Sequence, residues 1–415
     1  MSGKLEYNKP KGESAELLNK YFLNKFRFGY VKCKDVVLPE YFTNFGDRIR
    51  EMEIRADDIW VCSFPKTGTT WTQEMVWCIA HEADLKTAEE FLPQRFPFLE
   101  HSPLFDYRDL MSANPEITFP EFVLDSVGYI NNYPSPRFVK SHLPFKLLPE
   151  QLQRNETNAK IVYVARNARD TCVSYFHHCR LMEGYKGGFE QFCELFLQGN
   201  VCFGPFWDHV LGYWEQRHSP NVLILTYEEM KKDLRSIIHK TADFLGKTFD
   251  DEQVAKLLDH LSFQSMKQNR AVNYEPVIEI NKKYNLIEED GSFMRCGKIG
   301  EYKEIMNPNL MDRFEEWEKE NLTVRYYPAT AIASDRVVDN VRERVFNDRS
   351  CFNLHLAKME TILVQFSSTH VGHANELAHI RLNDCKREPI IAAFDANVLV
   401  SDILRCHHQP PNGIG

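Results

Sequence analysis

Four short runs along the chain are almost continuously apolar: IWVCSF (59–64), RFVKSH (137–142), IVYVAR (161–166) and VLILTY (222–227). A strand with one face in water alternates apolar and polar residues, so these runs predict strands buried on both faces of a parallel sheet. Segments with helical spacing lie between and after them, among them WTQEMVWCIAHEA, GPFWDHVLGYWEQR and DLRSIIHKTADFLG. Such alternation predicts an α/β fold, doubly wound, with a central, mostly parallel sheet flanked by helices. Ligands of such folds sit beyond the carboxyl ends of the strands, so the residues that follow each run are the first candidates for chemistry.

The pattern changes after Pro328. All 17 Tyr and all 6 Trp precede that point, whereas residues 329–415 hold neither and carry 6 of the 15 His. This stretch offers a helix-like VVDNVRERVF and an apolar PIIAAFDANVLVSDIL, with no motif. His370, His373, His379, His407 and His408 lack metal-ligand spacing, and no metal is expected. The expected division is an N-terminal segment (1–34), a main domain (35–328) and a C-terminal extension (329–415) of unassigned fold, for which disorder is one reading.

The chain has 415 residues, 43% hydrophobic and 26% charged, which is enough for a substantial core. A formal charge of -9 excludes a protein that coats nucleic acid or anionic membrane, so any anion site must be local. The N-terminus shows no apolar leader and no apolar run approaches membrane length, so a cytoplasmic protein without membrane contact is expected. Its 11 Cys show no CxxC pair, as for reduced thiols.

Three segments carry candidate chemistry. VCSFPKTGTTW (61–71) looks like a strand entering a helix through an anion-gripping loop. Main-chain N–H groups at the helix start favour anions, Gly68 permits close approach, Thr69 and Thr70 add hydroxyls, and Lys66 adds charge. The usual nucleotide loop, G-x-x-x-x-G-K-[ST], places its Lys after the second Gly; here Lys66 precedes the only one. In RFVKSHLPF, Lys140 and His142 are two residues apart on a strand and share a face, where a neutral His could take a proton from a hydroxyl. In IVYVARNARDTCVSY, Arg166 ends a strand and Ser174 follows eight residues later, within reach of a second phosphate. That strand ends in Arg rather than the Asp that would hold Mg²⁺ in an ATPase. A singly charged sulfuryl group can be managed by Lys, His and main-chain donors alone.

FPKTGTTW, KSHLPF, RNARDTCVSY, LTYEEM, FQSMKQN and FMRCGKIGEYK occur in the order and approximate spacing of the cytosolic sulfotransferases, which use 3′-phosphoadenosine 5′-phosphosulfate. The chain resembles that family over about residues 35–328. The resemblance implies that Lys66, Thr67, Gly68, Thr69, Thr70 and Trp71 bind the 5′-phosphosulfate, with Lys66 helping the bridging oxygen to leave. It makes His142 the catalytic base and Lys140 the cation beside the transferring group. Arg166 and Ser174 then grip the 3′-phosphate. Trp71, Tyr227 and Phe263 contact the adenine region, Ser262 and Met266 belong to the same donor site, and Phe293, Met294, Arg295, Cys296 and Gly297 form the late loop over the 3′-phosphate.

Several positions depart from the family's pattern. The late loop usually reads FMRKG, and Cys296 stands in place of the Lys. An exposed charge-assisted contact of that kind is worth roughly 1 to 3 kcal/mol, so donor affinity is expected to fall by about one or two orders of magnitude. Leu261 replaces a common Thr, leaving Ser262 as the available hydroxyl. Many relatives dimerise through K-x-x-x-T-V-x-x-x-E; here KEIMNPNLMD (303–312) puts Asn307 and Pro308 at the Thr and Val, so a homodimer by that route is not expected. On the acceptor side Phe98 matches an aromatic wall and His178 stands where a second Phe is common. The implied reaction is in-line sulfuryl transfer to a hydroxyl, or an amine, of a small phenolic, alcoholic or steroid-like acceptor. Two alternatives stand beside it: a metal-dependent nucleotide kinase, and a silent family member that binds the nucleotide without turnover.

Overall fold

In the computed structural model, which describes residues 3–286 and 291–323, each of the four apolar runs becomes a strand. The C-terminal extension (329–415) lies outside the described residues. An antiparallel hairpin, β1 (Tyr30–Cys33) and β2 (Val36–Pro39), precedes the parallel strands β3 (Ile59–Cys62), β4 (Phe138–Ser141), β5 (Lys160–Ala165) and β6 (Val222–Thr226). The sheet order is β4-β3-β5-β6, all parallel.

Alternate residues of each strand enter different cores, the two-residue period of a strand. Trp60, Cys62, Ile161, Tyr163 and Ala165 face one core, where they meet Phe206, Trp207 and Val210 of the helix Phe206–Trp214 and Cys172 and Tyr175 of the helix Ala168–Met182. Val61, Val162, Val164, Leu223 and Leu225 face the other, with Met75, Val76 and Ile79 of the helix Thr69–Ala80 and Ile237, Ile238 and Ala242 of the helix Leu234–Leu245. Both faces of the sheet are therefore dry, which is why the sequence shows nearly unbroken apolar runs. Each run extends one or two residues past its strand. His142, Arg166 and Tyr227 leave the ladder and line a cavity at the carboxyl edge.

Residues of the N-terminal segment share the first core. The helix Glu13–Phe22 buries Leu18 and Phe22, and Tyr30, Val31 and Cys33 of β1 join them. KEIMNPNLMD (303–312) leads into the helix Pro308–Thr323, where the Asn307 side chain accepts a hydrogen bond from the Leu310 N–H at 2.9 Å. The described cysteines are all free thiols, and no helix among the described residues is long and apolar enough to cross a membrane.

A buried ion pair fixes the opposite edge of the sheet. Arg137 Nε donates to Asp58 Oδ1 at 2.7 Å, a second guanidinium nitrogen reaches Oδ2, and the two residues are 2% and 0% exposed. Their carbonyls extend the ladder, Arg137 O accepting from Ile59 N and Asp58 O from Lys160 N. The pair thus aligns β3, β4 and β5 at their starts. Removing one partner of a buried pair strands the other charge, so Asp58→Ala is expected to lower unfolding free energy by about 3 to 5 kcal/mol in urea titration. A loss under about 1 kcal/mol would show that the pair does not hold this edge.

Candidate active site

A cavity of about 810 Å³ opens at the carboxyl ends of the four strands. With one exception it is lined by every residue assigned to a site from sequence: Lys66, Gly68, Thr69, Thr70 and Trp71 after β3, Lys140 and His142 at β4, Arg166 and Ser174 after β5, and Tyr227 after β6. Ser262, Phe263, Met266, the late-loop residues 293–297, Phe98 and His178 complete that set. Thr67 is the exception. Its hydroxyl lies 2.9 Å from both the Phe64 and Val164 carbonyls and shares its hydrogen between them, pinning the loop to β5 and leaving only its main chain for an anion.

The loop between β3 and the following helix is tightly wound. Lys66 has φ 69° and Gly68 φ 107°, both left-handed, and a Cβ on Gly68 would stand 2.9 Å from Tyr227 Cδ2. Glycine is required here for backbone and for space. The helix begins at Thr69, so its first main-chain N–H groups have no preceding turn to bond. Thr69 Oγ1 is 2.6 Å from Ser63 Oγ, which is itself 3.3 Å from His142 Nδ1.

The strongest contact of the His142 ring runs between Nδ1 and the Ser63 carbonyl, at 2.8 Å. A carbonyl only accepts, so Nδ1 carries the hydrogen and Nε2 keeps its lone pair. Burial, then the nearby Lys140 charge, hold this imidazole well below its ordinary pKa, so it is neutral. Its main chain is held on both sides. The His142 N–H donates to Glu100 Oε2 at 3.1 Å, and its carbonyl accepts from His209 Nε2 at 3.0 Å. His209 Nδ1 in turn lies 3.0 Å from the Tyr163 hydroxyl, which donates to it. Glu100 also accepts from the Ser141 hydroxyl. It reaches this position because residues 97–99 run along β4, with Lys140 N donating to Pro97 O and Leu99 N to Lys140 O, both at 2.9 Å. Burial pushes the Glu100 carboxyl up to about 7.

Cations crowd the cavity. Lys140 Nζ sits 4.1 Å from the centre of the Phe98 ring and Lys66 Nζ 3.9 Å from that of Phe293. Burial lowers Lys140 to about 8. Burial, followed by the charges of Lys140, Arg166 and Arg295, lowers Lys66 to about 7. Arg166 lies over the Tyr227 ring at 4.4 Å and donates to the carbonyls of Lys66 at 3.3 Å and Lys298 at 2.9 Å, joining the first loop to the late one.

The late loop rests on two carboxylates. Asp170 accepts from Gly300 N at 2.7 Å and from Tyr302 N at 3.3 Å, while Glu301 pairs with the Arg295 guanidinium and accepts from Cys296 Sγ at 3.2 Å. A thiol that donates to a carboxylate is protonated, so Cys296 here is a hydrogen-bond donor rather than a thiolate. The side chain of Leu261 is buried, and its carbonyl accepts the Trp71 indole N–H at 2.9 Å. Ser262 Oγ caps the next helix, accepting from Ser265 N at 3.1 Å.

The acceptor side was less legible from sequence. Phe105, Tyr107 and Phe119 form a wall of nearly parallel rings, with centroids 6.0 and 4.9 Å apart and interplanar angles of 13° and 18°. His101 also lines the cavity, pushed down to about 4 by burial and therefore neutral. These residues sit on short helices and irregular segments with no periodicity to mark them. Glu100, Glu301 and Glu183 were likewise missed, because a lone carboxylate in sequence carries no sign of what it will meet. Glu74, Cys78 and His260 cluster outside the cavity lining, but the carboxylate oxygens of Glu74 already face Arg95 and His260, each at 2.6 Å.

Residues 56–324 match the model of the sulfotransferase domain family. The chain is 44% identical to the luciferin sulfotransferase of Photinus pyralis over 77% of this chain and 87% of that protein. It is 36% identical to sulfotransferase 1 family member D1 of Rattus norvegicus, over 71% and 93% of the respective chains. Its structure is similar to that of retinol dehydratase in complex with androsterone and the inactive cofactor PAP, with a TM-score of 0.71, 30% identity, and coverage of 79% and 98%. By the family match and these identities, the chain belongs to the sulfotransferase family.

Proposed function

We propose that this sulfotransferase moves the sulfuryl group of 3′-phosphoadenosine 5′-phosphosulfate to a hydroxyl of a small, largely apolar acceptor, phenolic, alcoholic or steroid-like, with His142 as general base. The observation that carries the reading is the His142 ring: neutral, with Nδ1–H held on the Ser63 carbonyl and Nε2 left to accept a proton at the cationic end of the cavity. The donor is supported by the retinol dehydratase complex, which contains PAP, and by this chain's own crowding of Lys66, Lys140, Arg166 and Arg295. The acceptor class is supported by the aromatic wall and by the names of the relatives, which point to luciferin, retinol and androsterone.

In this reading the acceptor oxygen attacks sulfur as its proton passes to His142 Nε2, and the bond from sulfur to the bridging phosphate oxygen breaks. Adenosine 3′,5′-bisphosphate leaves with that electron pair. Lys66 stabilises the negative charge that collects on the bridging oxygen, and Lys140 that on the transferring group. Main-chain N–H groups of the β3 loop hold the 5′-phosphate, Arg166 and Ser174 hold the 3′-phosphate, and the Trp71 and Tyr227 rings flank the base. Thr67 acts only through its main chain. With Cys at 296, Arg166 and Arg295 are the guanidinium groups left to meet the 3′-phosphate.

Two measurements test the assignment. His142→Ala is expected to lower turnover of a phenol panel by about a hundredfold or more, since general-base catalysis is usually worth that much. Mass spectrometry of the sulfated products reads turnover, and calorimetry should show adenosine 3′,5′-bisphosphate binding nearly intact. A mutant keeping more than about a tenth of wild-type turnover would remove His142 from the role.

The second concerns charge. Lys66 is lowered to about 7 in the free protein, and an adjacent dianion favours its ammonium, so its pKa rises on binding. At about pH 8 binding of the bisphosphate is then expected to take up most of one proton, and affinity should fall as pH rises beyond about 7. Calorimetry in two buffers of different ionisation enthalpy measures the uptake. Zero uptake at that pH would show that Lys66 does not meet the phosphates.

A further inference from the structure

Two side chains behind the cavity hold consecutive carbonyls of the segment that carries His142. β4 ends at Ser141, so the carbonyls of His142 and Leu143 leave the strand while both residues stay buried. A buried carbonyl taken off a ladder costs free energy unless another donor meets it. Here the donors are His209 Nε2, 3.0 Å from the His142 oxygen, and the Tyr213 hydroxyl, 2.7 Å from the Leu143 oxygen. His209 and Tyr213 lie four residues apart on the helix Phe206–Trp214 and so share one face of it. One turn of one helix therefore meets both carbonyls.

The two donors are themselves fixed. Burial pushes His209 down to about 3, so its ring is neutral and carries one hydrogen. A carbonyl only accepts, so that hydrogen sits on Nε2, and Nδ1 accepts from the Tyr163 hydroxyl at 3.0 Å. Tyr163, on β5, also stacks on the Tyr213 ring, with centroids 4.1 Å apart and an interplanar angle of 15°. Phe64, the neighbour of Ser63, meets the His209 ring edge to face at 5.4 Å. His209, Tyr213 and Tyr163 are at most 1% exposed and none of them lines the cavity, so any part they play in a reaction there passes through His142. Three elements thus hold that residue: Ser63 its ring N–H, Glu100 its main-chain N–H and the helix Phe206–Trp214 its carbonyl.

We propose that His209 and Tyr213 are positioning residues for sulfuryl transfer, which aim His142 Nε2 at the acceptor hydroxyl by holding the carbonyls of residues 142 and 143. Tyr163 supports them by fixing the His209 tautomer. The proposal rests on the reading of His142 as general base and goes beyond it by assigning the transfer geometry to residues outside the cavity. A misplacement of about 1 Å at a reacting atom can cost on the order of a hundredfold in rate, so contacts behind the base reach the chemistry.

The experiment measures the single-turnover rate of sulfation of a phenol that the wild type accepts. Enzyme is in excess over the phosphosulfate donor and the phenol is saturating, which separates transfer from product release. His209→Leu, which leaves the His142 carbonyl unmet, should lower that rate by about tenfold or more, while calorimetry finds the Kd for adenosine 3′,5′-bisphosphate within about threefold of wild type. His209→Gln, which keeps an N–H at a similar reach, should stay within about threefold of the wild-type rate, and Tyr213→Phe, which removes one hydroxyl, should lose about threefold or more. In a His142→Ala background Tyr213→Phe should cost less than about twofold further, because residues that act through one group are not additive. Wild-type rates per bisphosphate-binding site in both His209→Leu and Tyr213→Phe would overturn the proposal and leave the base reading standing. So would an equal loss from Tyr213→Phe with and without the His142 imidazole. If His209→Leu does not fold, Tyr213→Phe decides alone. A His142→Ala protein that keeps more than about a tenth of wild-type turnover would sink both readings.

Discussion

The hydrogen bond from His142 Nδ1 to the Ser63 carbonyl joins the ends of two neighbouring strands, and the chemistry of the cavity depends on it. It exists because β3 and β4 are parallel and in register, Cys62 opposite Ser141, with the ladder continued by Ser63 N donating to Ser141 O. One residue further along each chain, the sheet has ended. Ser63 turns into the loop after β3 and His142 turns into the cavity, so register at the strand ends sets the distance between the His142 ring and that loop. The Asp58–Arg137 pair at the opposite edge holds that same register from the other side. A slip of one residue would exchange the faces of Lys140 and Ser141 as well as break the bond.

Electrostatics explains why the cavity invites an anion in a chain of net charge -9. Lys66 and Lys140 are both lowered by burial, and Lys66 further by its cationic neighbours, so the free site pays for its own charge density by shedding protons. An anion reverses that cost. The imidazoles respond in the opposite sense: burial first, and then the neighbouring cations, keep His142 and His178 neutral. One cluster of charge therefore bears on both the proposed donor site and the His142 ring.

Much of the sheet and of the cavity lining was legible in the sequence, for a physical reason. Strands dry on both faces must be continuously apolar, and the polar residues that interrupt such runs at their ends, Lys140, His142 and Arg166, have few other reasons to be there. Motif spacing then carried the remaining residues that line the cavity, because tight loops such as the one at Gly68 leave little freedom in glycine placement. Thr67 shows the limit: sequence placed it at the anion, and its hydroxyl turned inward to the Phe64 and Val164 carbonyls. The aromatic wall of the cavity was hidden for a different reason. Phe105, Tyr107 and Phe119 lie on segments without period, and aromatic residues there read equally well as core. His142 and His209 are 67 positions apart, a separation no local pattern can bridge.

Glu301 gives the late loop a property that its sequence alone would not suggest. Its carboxylate already holds Arg295 and the Cys296 thiol, so the Arg295 charge is paired within the loop. Engagement of Arg295 by a phosphate is therefore an exchange of one anion for another, not the filling of an empty charge. Under the proposed donor binding, the net gain would be only the difference between a dianion and a carboxylate, and a monoanion would gain little by such a swap.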